Sequence, residues 1–169
     1  TTSNLTSPVA NYPIYGTYNV SLTATSNFGC TNTAVSTLTI HPAPIASFIG
    51  NNVCQSSLIT FTNTSSIPSG SIASYNWNLA NLQNSSLTHP STQYTSPGPK
   101  TITLTAISNL GCTASYTGVV NVNPLPMVNY TASDVCLGQA NNFTNLSNIS
   151  SGNITNYVWN FNGFNTSTA

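Results

Sequence analysis

Shifting the chain against itself by 82 residues lays Cys30 on Cys112, Cys54 on Cys136 and Trp77 on Trp159 without a gap. The same shift superposes Pro8 on Pro90, Tyr12 on Tyr94 and Gly16 on Gly98. It also matches S-N-F-G-C-T (Ser26 to Thr31) with S-N-L-G-C-T (Ser108 to Thr113) and F-T-N at Phe61 with F-T-N at Phe143. Self-similarity at a fixed spacing implies units that fold alike and follow one another. The P-A-P at Pro42 and the P-L-P at Pro124 recur at the same shift. Proline lacks a ladder donor and favours extended linkers, so these are natural boundaries. The division predicts one complete unit over 42–123, the C-terminal half of an upstream unit over 1–41, and the N-terminal half of a downstream unit over 124–169.

Within a unit the pattern has the period of strands. Ile102, Leu104 and Ala106 alternate with Thr or Ile, and Val20, Leu22 and Ala24 alternate with Ser or Thr. Tyr75, Trp77 and Leu79 do the same, as do Tyr157, Trp159 and Phe161. Such alternation gives each strand one buried and one solvated face. Helical spacing is sustained nowhere. Strands are expected near 44–50, 57–63, 73–79, 90–95, 100–107 and 114–122, joined by Asn, Ser, Gly and Pro clusters. Six or seven short strands in about 80 residues make an all-β, immunoglobulin-like sandwich. Its expected core aromatics are Phe61, Tyr75 and Trp77, with Phe143, Tyr157 and Trp159 as their counterparts.

Composition then removes most chemistry. Lys100 and Asp134 are the only fixed charges in 169 residues. Calcium sites draw on several carboxylates, and two-carboxylate hydrolysis needs a pair, so one Asp supports neither. No metal site and no cofactor is expected. A serine nucleophile would have to recruit His41 or His89, which sit beside prolines, and no G-x-S-x-G elbow is present. No catalytic residue is assigned. One Lys and no Arg make nucleic acid an implausible partner. No apolar run nears the length of a membrane span, so no membrane insertion is expected. The four cysteines lack C-x-x-C spacing and suit an oxidising, extracellular compartment.

Cys30 and Cys112 follow the sixth strand of their units, whereas Cys54 and Cys136 precede the second. These positions lie near opposite ends of a sandwich. The readings open to these disulfide candidates are a staple within a unit, such as Cys54 to Cys112, a link from one unit to an adjoining unit, or free buried thiols. A cross-link would add about 2–4 kcal/mol of stability.

The order I-T-F-T-N-T-S (Ile59 to Ser65), Y-N-W-N-L (Tyr75 to Leu79), H-P-S-T-Q-Y (His89 to Tyr94) and G-P-K-T-I-T-L-T-A-I-S-N-L-G-C (Gly98 to Cys112) resembles the PKD-type immunoglobulin-like domain. It resembles most the versions arrayed in giant cell-surface adhesins of Bacteroidota. The family's W-D-F-G-D-G segment is replaced by W-N-L-A-N-L (Trp77 to Leu82) and W-N-F-N-G-F (Trp159 to Phe164), so cation binding at that turn is not carried over. The resemblance implies a non-enzymatic spacer in a long bacterial surface adhesin or extracellular filament, exported by a gliding-associated or type IX route. Its expected partners are neighbouring repeats of the same chain, other copies in a filament, or surface polysaccharide. The alternatives are a polysaccharide-binding module, which needs two coplanar exposed aromatics per unit, and an accessory domain of a secreted enzyme.

Overall fold

The computed structural model describes residues 2–80 and 83–162. Among them every regular element is a strand. The strands are β1 (Gly16–Thr25), β2 (Thr31–Ile40), β3 (Phe48–Ile49), β4 (Val53–Cys54), β5 (Leu58–Thr60), β6 (Thr62–Asn63) and β7 (Ile72–Asn78). After them come β8 (Asn84–Ser85), β9 (Ser91–Gln93), β10 (Gly98–Ser108), β11 (Thr113–Asn123), β12 (Tyr130–Thr131) and β13 (Thr144–Asn145). The chain divides into two compact units. The first gathers the residues through Ile49, Phe61–Pro90 and Ile102–Gly118; the second gathers Gly50–Thr60, Ser91–Thr101 and the residues from Val119. The largest sheet has the order β4-β11-β10-β7-β8, and its long strands β10 and β11 contribute residues to both units.

In the first unit, β10 shows why this composition folds as strand. Ile102, Leu104, Ala106 and Ser108 point inward and are buried, while Thr103, Thr105 and Ile107 point the other way. The β-branched threonines suit a pleated, half-solvated face. They are tied across to β11 by hydroxyl contacts, Thr103 to Thr117 at 3.0 Å and Thr105 to Ser115 at 2.8 Å. The pairing of β10 with antiparallel β7 sets Leu104 opposite Trp77 and Ala106 opposite Tyr75. Above that sheet, β3 pairs antiparallel with β6, Phe48 opposite Asn63. The core of the unit is Phe48, Phe61, Trp77, Leu79, Ile102, Leu104 and Ala106, all buried.

The turn after β10 explains the S-N-x-G-C sequence. The Ser108 hydroxyl oxygen accepts from the Leu110 and Cys112 amides at 3.3 and 3.0 Å, and Gly111 takes φ +80° to close the loop. A side chain is disfavoured at that φ, so Gly is required there. The hairpin β1–β2 is built the same way. Ser26 accepts from Phe28 and Cys30, Gly29 has φ +80°, and Thr23 meets Thr33 at 2.8 Å, as Thr105 meets Ser115.

In the second unit, β4 runs parallel to the end of β11, Val53 opposite Val122 and Cys54 opposite Asn123, and β5 pairs antiparallel with β9. Ile59, Tyr94, Val120 and Val122 are its buried hydrophobic residues. The pair β12–β13 sets Tyr130 opposite Asn145, the register of Phe48 opposite Asn63.

The expected strands differ from the observed ones in three places. The strand expected over 57–63 breaks at Phe61: β5 turns to β9 and β6 to β3, with the Phe61 amide donating to the Pro90 carbonyl at 2.9 Å. The strand expected over 44–50 shortens to β3 plus a single bridge from Ile45 to Ser66. The two-residue strands β4 and β8 were not expected at all.

Candidate functional site

The residues able to do chemistry are scattered or structurally employed. His89 uses Nδ1 to accept the Asn63 amide at 3.1 Å, which locks a loop to β6. His41 is exposed, and its carbonyl lies 4.0 Å from the Cys112 Sγ. Asp134 is exposed. Lys100 is buried; its Nζ donates to the Ser96 hydroxyl at 3.0 Å and stands 5.7 Å from the centre of the Tyr94 ring. Burial pushes the Tyr94 phenol up to about 12. Among the described residues no three His, Cys, Asp or Glu side chains gather closely enough to hold a metal ion. No helix among them is long and apolar enough to cross a membrane.

The four cysteines are joined by no disulfide: Cys30, Cys54 and Cys136 are exposed thiols and Cys112 is half-buried. The staple from Cys54 to Cys112 is not formed: Cys54 lies on β4, opposite Asn123, and Cys112 lies in the turn before β11.

Aromatic side chains are where the structure concentrates. In the middle of the chain Phe48, Phe61 and Trp77 pack with ring centres 5.8, 5.3 and 6.0 Å apart, and Tyr116 adds an edge contact to Phe48 at 5.2 Å. Trp77 is wholly buried, and its indole N–H donates to the Leu87 carbonyl at 2.9 Å. It is a core residue and presents no ring face to a ligand. Tyr75 is half-buried, because β8 pairs only with Trp77 and Asn78 and leaves its side open.

A second cluster is formed by Tyr130, Phe143 and Trp159, 82 residues further on, with ring centres 6.3, 5.2 and 5.7 Å apart. Phe161 stacks near-parallel to Trp159 at 3°. Here the expectation of a core fails for two residues: Phe143 is 39 % and Tyr157 50 % exposed, while Trp159 is half-buried. The reason is neighbours. β10 pairs alongside β7 and sets Leu104 beside Trp77, while Tyr116 and Gly118 of β11 press on Phe48; nothing equivalent stands against the second cluster among the described residues. An open cavity of about 360 Å³ remains there, lined by Val128, Tyr130, Phe143, Tyr157, Trp159 and Phe161 among others. Of the segments that replace the acidic turn, Asn81, Leu82, Gly163 and Phe164 lie outside the described residues.

Comparison with known proteins gives this architecture its family. Residues 41–124 match the family model of the PKD domain. This segment is a PKD domain. Its fold is the all-β, immunoglobulin-like sandwich of that family. Among solved structures, the chain is similar to the PKD1 domain of Vibrio anguillarum Epp, with 31 % identity, 49 % of this chain and 96 % of that chain covered, and a TM-score of 0.46. It is also similar to the PKD1 domain of the Vibrio cholerae metalloprotease PrtV, with 28 % identity, 49 % and 98 % covered, and a TM-score of 0.41. A carbohydrate-binding module of the β-sandwich superfamily aligns at 19 % identity over 56 % of this chain and 46 % of that chain, with a TM-score of 0.45. No curated protein matches. The strand-turn signals of the PKD domain were legible in sequence; the openness of the second aromatic cluster was not, since no local pattern tells whether a ring is covered.

Proposed function

We propose that the chain is a run of PKD units repeating every 82 residues, with residues 42–123 one whole unit flanked by the C-terminal half of one (1–41) and the N-terminal half of another (124–169). Its role is that of a non-enzymatic spacer in a long extracellular bacterial adhesin or filament. The observation that carries this reading is the recurrence of the same devices at the same spacing: the serine-glycine turn at Ser26 and Ser108, the β3–β6 register in β12–β13, and the aromatic triad. Each serves folding. In this reading each unit has only to remain folded and hold its ends apart.

Extracellular placement is supported by the similarity to PKD domains of Vibrio proteins, one of them a metalloprotease. A surface adhesin of the Bacteroidota kind, exported by a gliding-associated or type IX route, is the setting in which such an array has use. A sandwich of about 40 Å per unit gives reach in proportion to the number of units. Electron microscopy of the native surface material tests this: fibres with an axial repeat near one sandwich length are expected, and compact particles without periodicity would overturn it.

A second reading, polysaccharide binding, draws on the near-parallel Trp159 and Phe161 rings. It predicts that the 169-residue chain binds members of a broad glycan panel and that Trp159→Ser abolishes binding. The counterparts Trp77 and Leu79 are buried in the complete unit, which favours the spacer.

A further inference from the structure

One backbone position at the boundary between repeats has a cysteine contact on each side of it. At the start of the complete repeat, the Cys112 Sγ lies 4.0 Å from the His41 carbonyl oxygen. At its end, 82 residues on, Asn123 takes the place of His41, N-P-L-P standing for H-P-A-P. The Asn123 carbonyl accepts the Gln55 amide at 2.8 Å, and the parallel pairing of β4 with β11 sets Cys54 directly opposite Asn123. Each of these contacts lies inside one of the two compact units. Cys54 is an exposed thiol and Cys112 a half-buried one, and within the repeat no bond joins them.

We propose that Cys54 forms a disulfide with the cysteine that stands in the place of Cys112 in the following repeat of the same chain. By the same rule Cys112 pairs with the counterpart of Cys54 in the preceding repeat. This pairing rests on the 82-residue array and deepens it, naming which cysteine meets which and placing the bond at the junction. Carried forward by one period, the Cys112 contact with His41 falls on the Asn123 carbonyl, beside which Cys54 is already held. A disulfide needs Cα atoms within about 7 Å, and convergence on a single peptide group brings the two cysteines within that reach. Both positions recur, Cys30 for Cys112 and Cys136 for Cys54, so each repeat carries one cysteine for the neighbour before it and one for the neighbour after it.

The bond would act on the junction and leave the folding of each repeat alone. A proline linker is a semi-rigid spacer, and one covalent connection still lets two beads swivel about it. A second connection beside the linker removes that freedom, so an array bonded in this way extends as a stiff rod. Formation takes one proton from each thiol and two electrons from the pair; a small-molecule disulfide such as oxidised glutathione accepts them and leaves as two thiols.

The test is disulfide mapping of the native surface protein, alkylated without reduction and digested with pepsin at acid pH, where thiol–disulfide exchange is suppressed. The Cys54 peptide is expected cross-linked to an S-N-x-G-C peptide other than the one that holds Cys112. The Cys112 peptide is expected cross-linked to a Cys54-type peptide other than its own. Reduction is expected to leave the melting temperature unchanged while the axial spacing seen by electron microscopy becomes irregular. Cys54 bonded to Cys112 itself, thiols that alkylate freely, or a melting temperature that falls on reduction while the spacing stays regular would each overturn the junction bond and leave the spacer reading intact. Native material without axial periodicity before reduction overturns the spacer reading, and the junction with it.

Discussion

The indole nitrogen of Trp77 donates to the carbonyl of Leu87 at 2.9 Å, so one side chain both fills the core against Phe48 and Phe61 and pins the loop that leads to β9. Removing the ring leaves a cavity, and replacing it with the smaller phenyl ring loses both part of the core volume and the hydrogen bond to Leu87. Trp77→Ala is therefore expected to cost about 3–5 kcal/mol and Trp77→Phe about 1–3 kcal/mol. The half-buried Trp159 supplies the control: Trp159→Phe is expected to change the unfolding free energy by less than Trp77→Phe. Urea denaturation followed by circular dichroism checks the order.

Gly118 sets how closely β11 approaches the aromatic cluster. A methyl placed on it would meet Phe48 Cζ at 3.0 Å and the Tyr116 ring at 3.6 Å. Its backbone is not left-handed, so the cost of Gly118→Ala is steric alone. Phe48 must tilt within a ring cluster packed at 5.2 to 5.8 Å. Overpacking of this kind costs about 1–3 kcal/mol. A double variant, Gly118→Ala with Phe48→Leu, is expected to recover part of that loss in the same denaturation experiment, because the smaller side chain removes the contact that the methyl violates.

What sequence made legible follows from what each feature depends on. The alternation in β10 is set by its own residues, so its inward face of Ile102, Leu104 and Ala106 could be read directly. The turn at Ser108 and Gly111 is likewise local. The strand β4 has two residues and pairs with β11 in parallel from far along the chain, and two residues carry no period. The break at Phe61 is a change of partner between β5 and β6, which only the assembled sheets reveal. The exposure of Phe143 and Tyr157 was illegible for the same reason: their sequence is that of a core, and burial depends on what another segment places over them.

With Lys100 and Asp134 as the only fixed charges, stability has almost no Coulombic component to screen. Sodium chloride up to about 0.5 M is expected to move the melting temperature by no more than about 2 °C. Ammonium sulfate at equal ionic strength is expected to raise it clearly, because sulfate strengthens the burial of apolar surface instead of screening charge. Differential scanning fluorimetry in the two salts separates the effects, and a large chloride dependence would show that ion pairs matter here.

Tyr94 gives the fold a sensitivity at high pH. Its ring is buried beside Lys100, and burial lifts the phenol from 10.0 to about 12. Below pH 10 the phenol is protonated in both folded and unfolded chains, and its full contribution to stability is present. From about pH 10 upward the unfolded chain releases its proton while the folded chain retains it, so the unfolded state gains and stability falls until the folded phenol titrates near pH 12. Tyr94→Phe removes that loss. The variant is expected to melt at or below the wild-type temperature at neutral pH, and the gap is expected to narrow steadily as pH rises from 10 to 12. A gap constant over that range would mean that the Tyr94 phenol is not held protonated by the fold.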